Sequence, residues 1–293
     1  MSFYVPARSE VFEAIEASAV PLVFDSPHSG SWNPPDFNFA CDPHRLRRSE
    51  DSFVDELWAG ARAKGCGFLR AFFPRSYIDP NRALDDIDQT LFDAPWPGPV
   101  APGEKAKAGM GLIRRLSLPG EPMYDRKLSV AEGQHRIAHY YEPYHAALDH
   151  LIVDALGKWG VVWYINCHSM KEYGNAMNVD AGRRRADFVL GDREGKTCGP
   201  ELLEIVRSFL RDKGYSVALN NPYKGLELVR RHGKPSAGRH SLQIEINRAL
   251  FLDEERVVKT DGFDRLKADL DGLVAVLAGA AQDAQLSCPN APA

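Results

Sequence analysis

Two histidines in this 293-residue chain stand just beyond apolar runs, and each is followed by a serine. His28 comes after Val20-Pro21-Leu22-Val23-Phe24, and His168 after Val161-Val162-Trp163-Tyr164-Ile165. Such runs, too short for helices and rich in β-branched and aromatic residues, read as strands buried on both faces. In open α/β sheets the ligand crevice lies at the carboxyl ends of the strands, which is where both imidazoles would stand. Glu50 and Asp51 offer a carboxylate at the start of a helical pattern, and Glu245 interrupts the alternating stretch Ser241-Leu242-Gln243-Ile244-Glu245-Ile246-Asn247. A glutamate in such a strand is costly unless it faces a cleft, a metal or a cation. Two imidazoles and a carboxylate, with a fourth position open to water, make up a catalytic zinc site. A further carboxylate can act as general base, and an arginine such as Arg82 can hold a developing oxyanion.

Each residue also has a plainer reading. His28 is then a loop side chain in water, and His168 a buried ring with both nitrogens bonded. Glu50 and Asp51 complement a helix dipole, and Arg82 is a surface arginine paired with Asp85 or Asp86. Repetition favours the chemical reading, because two separate strands release a His-Ser pair at the same kind of place. Spacing does not assemble the group, since its members are far apart in the chain.

The elements that must position them follow from periodicity. Residues 9–18 suggest a short helix capped by Ser9, and residues 44–64 an amphipathic helix with Ser49 as its cap. Phe53, Val54, Leu57, Trp58 and Ala61 form the apolar face of the second. Phe68 to Phe73 reads as a strand that has ended by Asp79-Pro80-Asn81-Arg82. The Pro- and Gly-dense segment 93–109 reads as a long excursion over the active-site face. Gly109-Met110-Gly111 lacks the preceding strand and full spacing of a dinucleotide fingerprint. Residues 129–158 predict one long helix bent at Pro143, with His135, His139, His145 and His150 as surface or packing residues. Further strands fall at 186–192, 215–219 and 241–247, and helices at 200–213 and 254–278. A polar loop spans 221–240 and the tail 282–293 looks frayed. Strands alternating with helices predict an α/β fold with a mostly parallel sheet, in a single domain over 1–293 with no repeat or linker.

Composition sets the outer bounds. Net charge is −4, with 44% hydrophobic and 26% charged residues, so no general nucleic-acid or anionic-membrane surface is expected. The five cysteines are scattered, without a CxxC pair, which argues against a disulfide framework and a cysteine zinc site and suits the cytoplasm. No apolar run approaches a membrane span.

The segments SPHSG (26–30), SEDSFVDELW (49–58), FPRSYIDPNRA (73–83), CHSM (167–170), ADFVLGDREGKTC (186–198) and HSLQIEINRAL (240–250) resemble the N-formylglutamate amidohydrolase family. They occur in that family's order, and the likeness runs from about residue 20 to 255. The family is similar in turn to the zinc carboxypeptidases and aspartoacylases, which implies a mixed, mostly parallel sheet sandwiched by helices. It implies hydrolysis of N-formyl-L-glutamate to formate and L-glutamate, a last step in one route of histidine degradation. Under the resemblance one Zn2+ is held by His28, Asp51 and His168, with Glu50 the alternative acidic ligand. Asn81 and Arg82 bind carboxylate and carbonyl, and Glu245 is the base. The zinc-activated water would lose its proton to Glu245 and attack the formyl carbon. A dicarboxylate product also needs cations, for which Arg230, Arg231 and His240 are candidates and Arg114 a further one. A related zinc hydrolase of another N-acyl amino acid or short peptide is the alternative, and a non-catalytic carboxylate-binding protein of the same fold a second. Oligomeric state is not readable.

Overall fold

The computed structural model describes residues 9–118, 120–175 and 178–286. Among these, seven strands form one sheet: β1 (Phe12–Ile15), β2 (Leu22–Ser26), β3 (Gly67–Ala71), β4 (Val162–Met170), β5 (Phe188–Gly191), β6 (Val217–Leu219) and β7 (Arg239–Asn247). Their order is β1-β3-β2-β4-β7-β5-β6. The central run β3-β2-β4-β7 is parallel throughout. The sheet is mixed because β1 runs antiparallel to β3, and β5 antiparallel to β7.

The periodicity of β4 explains why it lies at the centre. All nine of its residues are buried. Trp163, Ile165 and Cys167 join one core cluster, while Val162 and Tyr164 join the other. A strand apolar on both faces must be covered on both faces. One face is covered by α2 (Val54–Leu57), α3 (Gly60–Ala63), α7 (Pro200–Asp212) and α9 (Gly262–Leu286), which bring Trp58, Leu202, Val206, Leu270 and Leu277. The other is covered chiefly by α6 (Glu142–Trp159), with Tyr144, Leu148, Leu151 and Ile152. Each such aliphatic or aromatic side chain contributes about 1.5–3 kcal/mol on burial. The sheet therefore sits between two helical layers, and its parallel carboxyl ends open on one rim.

Several expected elements take a different form. Residues 12–15 are a strand, not part of a helix, because Phe12 and Ala14 alternate inward and pair with Ala71 and Leu69 of β3. Ser9 therefore caps no helix; its Oγ accepts from the Val11 and Phe12 amides at the entry to β1. The helix expected over 44–64 is three short pieces: α1 (Pro43–Arg48), α2 and α3. Ser49 closes α1, and Phe53 begins α2 with φ of 66°. That interruption leaves Glu50 and Asp51 in a corner of the chain instead of on a helical turn. The 93–109 segment contains a short helix, α4 (Glu104–Lys107), and the 221–240 segment contains α8 (Glu227–His232). The last helix continues to Leu286, past the point where fraying is expected, and the rest of the tail lies outside the described residues.

The expected bend at Pro143 becomes a π-helical turn, Ile137–Tyr141, between α5 (Val130–Arg136) and α6. Proline lacks an N–H and crowds the carbonyl four residues back, so a wider turn before it relieves both conflicts. The same stretch faces the loop after β3 and donates to three of its carbonyls. Arg136 reaches Tyr77 O at 3.0 Å, His145 Nε2 reaches Pro80 O at 2.9 Å, and Tyr141 Oη reaches Arg82 O at 2.8 Å. That grip holds Asp79, Asn81 and Arg82 at the sheet rim.

Candidate active site

Three buried side chains meet at the carboxyl ends of the central strands. His28 follows β2, His168 lies near the end of β4, and Asp51 comes from the corner between α1 and α2. One ligand atom from each lies within 4.8 Å of the others. Asp51 Oδ2 is 3.3 Å from His28 Nδ1 and 3.0 Å from His168 Nδ1. The corner is tied down: the Asp51 amide donates to His28 O, and Ser29 Oγ donates to Asp51 O. Arg248, just past β7, donates to Asp51 Oδ1 at 3.0 Å and also to the carbonyls of Arg48 and Glu50.

The far side of each ring is occupied. His28 Nε2 donates to Asp79 Oδ1 at 2.7 Å, and His168 Nε2 donates to Asn166 Oδ1 at 2.8 Å. A proton held on Nε2 leaves the lone pair on Nδ1, the nitrogen that faces Asp51. Two imidazole lone pairs and a carboxylate oxygen thus converge, each an acceptor, as metal ligands must. This donor set fits a divalent cation bound by nitrogen and oxygen.

Asp51, not Glu50, faces the histidines. The Glu50 carboxylate is buried against Arg47, and burial pushes its pKa up to about 8. Burial works on Asp51 in the same direction. When the rings instead carry protons on Nδ1, as in the metal-free protein, their hydrogen bonds to Asp51, with the charges of His28 and Arg75, hold its carboxyl well below the usual carboxylate range. Asp79 is likewise held low against burial, first by the charge of Arg75, whose Nη2 lies 2.8 Å from Asp79 Oδ2.

Glu245 stands beside His168 in register across the β4–β7 pair. It is 7% exposed, and Gln243 Nε2, two residues earlier on the same face of β7, donates to its Oε1 at 2.9 Å. Burial raises the Glu245 carboxyl to about 7, with the charge of Asp51 adding to the rise and that of His168 opposing it. Asn81 Oδ1 accepts from the Leu228 amide, which turns its Nδ2 toward His168 Nε2 at 3.2 Å. Two N–H groups cannot share that line, and the shorter contact to Asn166 keeps the imidazole proton. Asn81 therefore retains an N–H that finds no acceptor on His168. Arg82 is buried beside it, its Nε donating to Met110 O at 3.3 Å.

The chain belongs to the N-formylglutamate amidohydrolase family.

That family's profile matches residues 20–252, which contain every residue of the group just described. The N-formylglutamate deformylase of Pseudomonas aeruginosa is 26% identical over 242 residues, covering 80% of this chain and 84% of that one. The Pseudomonas putida N-formylglutamate deformylase is 25% identical over 239 residues, covering 80% and 83%. The crystal structure of N-formylglutamate amidohydrolase from Ralstonia eutropha JMP134 is 47% identical, with a TM-score of 0.90 over 94% of this chain and 99% of that one. This family member is an amidohydrolase, and its substrate is a small molecule.

Not every expected residue reaches the group. His240 pairs with Trp163 at the other end of β7, five residues and about 17 Å from Glu245 at the usual strand rise. Its Nδ1 accepts from the Gly199 amide. Arg230 pairs with Glu227 on the surface, and Arg231 reaches Asp149 and His145 on α6. A helical repeat places 230 and 231 on the outer side of α8, while its first turn holds Asn81. Cys167 alternates to the opposite face of β4, where burial pushes its thiol well up. Of the helical histidines, His135 and His139 stack on the surface, and His145 is buried packing that holds the Pro80 carbonyl.

Sequence reasoning missed Asp79, Arg75, Asn166, Gln243 and Arg248. Asp79 looked like a turn residue before proline. Asn166 offered a signal in its position two before His168, because i and i+2 share a strand face.

Proposed function

We propose that this protein is a metal-dependent hydrolase of N-formyl-L-glutamate, releasing formate and L-glutamate, with one Zn2+ held by His28 Nδ1, Asp51 Oδ2 and His168 Nδ1. The convergence of those three acceptors, with both Nε2 protons pinned elsewhere, carries the reading. A bound zinc ion supplies Lewis acidity and lowers the pKa of water to about 7. The rest of the chemistry belongs to side chains. Glu245, one strand over from His168, is within the same buried rim and serves as base. It takes a proton from the attacking water as the oxygen adds to the formyl carbon. When the C–N bond breaks, it returns that proton to the departing nitrogen. Arg82 steadies the oxyanion and Asn81 donates its free N–H to the substrate. The fixed partners of each ring keep these groups aligned.

The relatives' names support the substrate, and the family profile spans the whole site. A carboxypeptidase-like arrangement, a role in histidine degradation and one catalytic domain over 1–293 belong to the same proposal. So does cytoplasmic residence, since Cys41, Cys66, Cys167 and Cys198 are all unpaired. The test is purification followed by metal analysis and a formate-release assay. One zinc per chain, with turnover abolished by chelation and restored by Zn2+, is the expected result. Full turnover in thoroughly chelated protein would reject metal dependence.

A further inference from the structure

A substrate carrying two carboxylates needs two cationic contacts, and the site offers more cation than its own acids neutralise. Arg75 and Arg185 have close partners in Asp79 and Asp180. Arg114 does not. Its Nη2 lies 3.8 Å from an Asp79 that is already shared by His28 and Arg75, and its Nε is buried with no hydrogen-bond partner. An unpaired buried N–H is costly, more so on a charged group, and persists where a ligand completes it. Lys105 is half-buried on α4, and no described carboxylate lies within ion-pair distance of its ammonium.

Met110 ties the backbone of Lys105 and Arg114 to the Arg82 side chain. Met110 O accepts from Arg82 Nε, Met110 N donates to Lys105 O at 2.7 Å, and Met110 forms a β-bridge with Arg114. The segment is held on the site, because Asp79 N donates to Leu112 O and Leu112 N donates to Asp86 O, both at 2.8 Å. Gly111 permits that approach, since a Cβ there would lie 2.5 Å from Asp86 O. Lys105 has Arg82, Arg75, Arg114 and Arg185 as neighbouring charges, and these add to burial in lowering its pKa.

We infer that Lys105 and Arg114 form a second anion subsite, reading the side-chain carboxylate of the substrate and selecting acidic over neutral N-acyl amino acids. The inference rests on the amidohydrolase reading above. The Pro- and Gly-rich excursion thereby acquires a role, because α4 carries a cation to a carboxylate that the metal group does not touch. A charge-assisted contact of this kind discriminates a carboxylate from an isosteric amide.

The experiment compares N-formyl-L-glutamate with N-formyl-L-glutamine, as the ratio of their kcat/KM values, in wild type, Lys105→Met and Arg114→Lys. Lys105→Met changes a half-exposed side chain, so folding is retained even if the Arg114 variant fails. The expected result is a fall of about tenfold or more in the ratio, carried by KM for the acidic substrate. An unchanged ratio in Lys105→Met, with both substrates slowed alike, would overturn the subsite. Thermal-shift titration with glutarate and butyrate reads it independently of turnover. Glutarate should stabilise wild type more than butyrate, and Lys105→Met should erase the difference; equal shifts in wild type would overturn it. If wild type cleaves no N-formylglutamate, the substrate reading falls, and the glutarate titration still decides the subsite.

Discussion

Asn166 and His168 lie two residues apart on one face of β4, with Asn166 Oδ1 2.8 Å from His168 Nε2. The asparagine cannot turn, because its Nδ2 donates to Asp25 Oδ1 at 2.7 Å. Asp25 is itself fully buried and accepts from Tyr144 and Tyr164. A chain of side chains from the adjacent strand and from α6 therefore fixes which nitrogen of His168 is left to bind a ligand.

Replacing Asn166 with alanine removes that constraint while leaving the imidazole in place. Zinc affinity should fall about 10–100-fold, the usual effect of losing such a partner. Competition against a chromophoric chelator measures it. Affinity equal to wild type would show that the strand alone orients the ring.

Glu245→Gln keeps the size and the Gln243 neighbour but cannot take a proton. We expect kcat for N-formylglutamate to fall about 10²–10⁴-fold with metal content unchanged. Metal analysis and steady-state rates on the same preparation separate the two. Normal turnover would remove Glu245 from the mechanism.

Gly30→Ala should damage the site through backbone contact. A Cβ at this position would lie 2.4 Å from the Phe72 carbonyl carbon and 2.5 Å from Phe73 O, so the loop carrying His28 must move. Lower Tm together with weaker zinc binding is expected, by calorimetry and chelator competition. A change in Tm without one in zinc binding would mean that the loop yields away from His28.

Acid stability should depend on two buried histidines outside the metal group. Burial pushes His145 and His232 down to about 3. Below the ordinary value near 6.5, the unfolded chain takes up protons that the native state refuses, so stability falls as pH drops from about 6.5 toward 3. At pH 5 the loss is about 2 kcal/mol per histidine. Urea unfolding of metal-free protein at pH 7 and pH 5 measures this, and His232→Gln should flatten the slope. An unaltered slope would assign the acid sensitivity to other groups.

Much of this was legible in the residues themselves. The β-branched and aromatic runs of β2 and β4 mark a buried parallel sheet, because a strand polar on neither face has to be covered on both. His28 and His168 are named by their place after those runs, and Glu245 by the cost of a glutamate inside the alternating strand β7. Arg82 is named by its place after the third strand, and the family motifs add Asn81. What the chain order cannot state is which side chains meet across it. Asp51 and Glu50 point apart because the chain turns a corner there, closed by φ-positive backbone at Phe53, which a smooth helical pattern concealed. Arg230, Arg231 and His240 have the right charge, but helix phase and strand length carry them elsewhere. Asp79 meets His28 across 51 positions and Arg248 meets Asp51 across 197, while Arg75 joins the site through Asp79. Local periodicity is written by neighbours in sequence, whereas a ligand's partner is chosen by the packing of α6 and the strand register, and those exist only in the folded molecule.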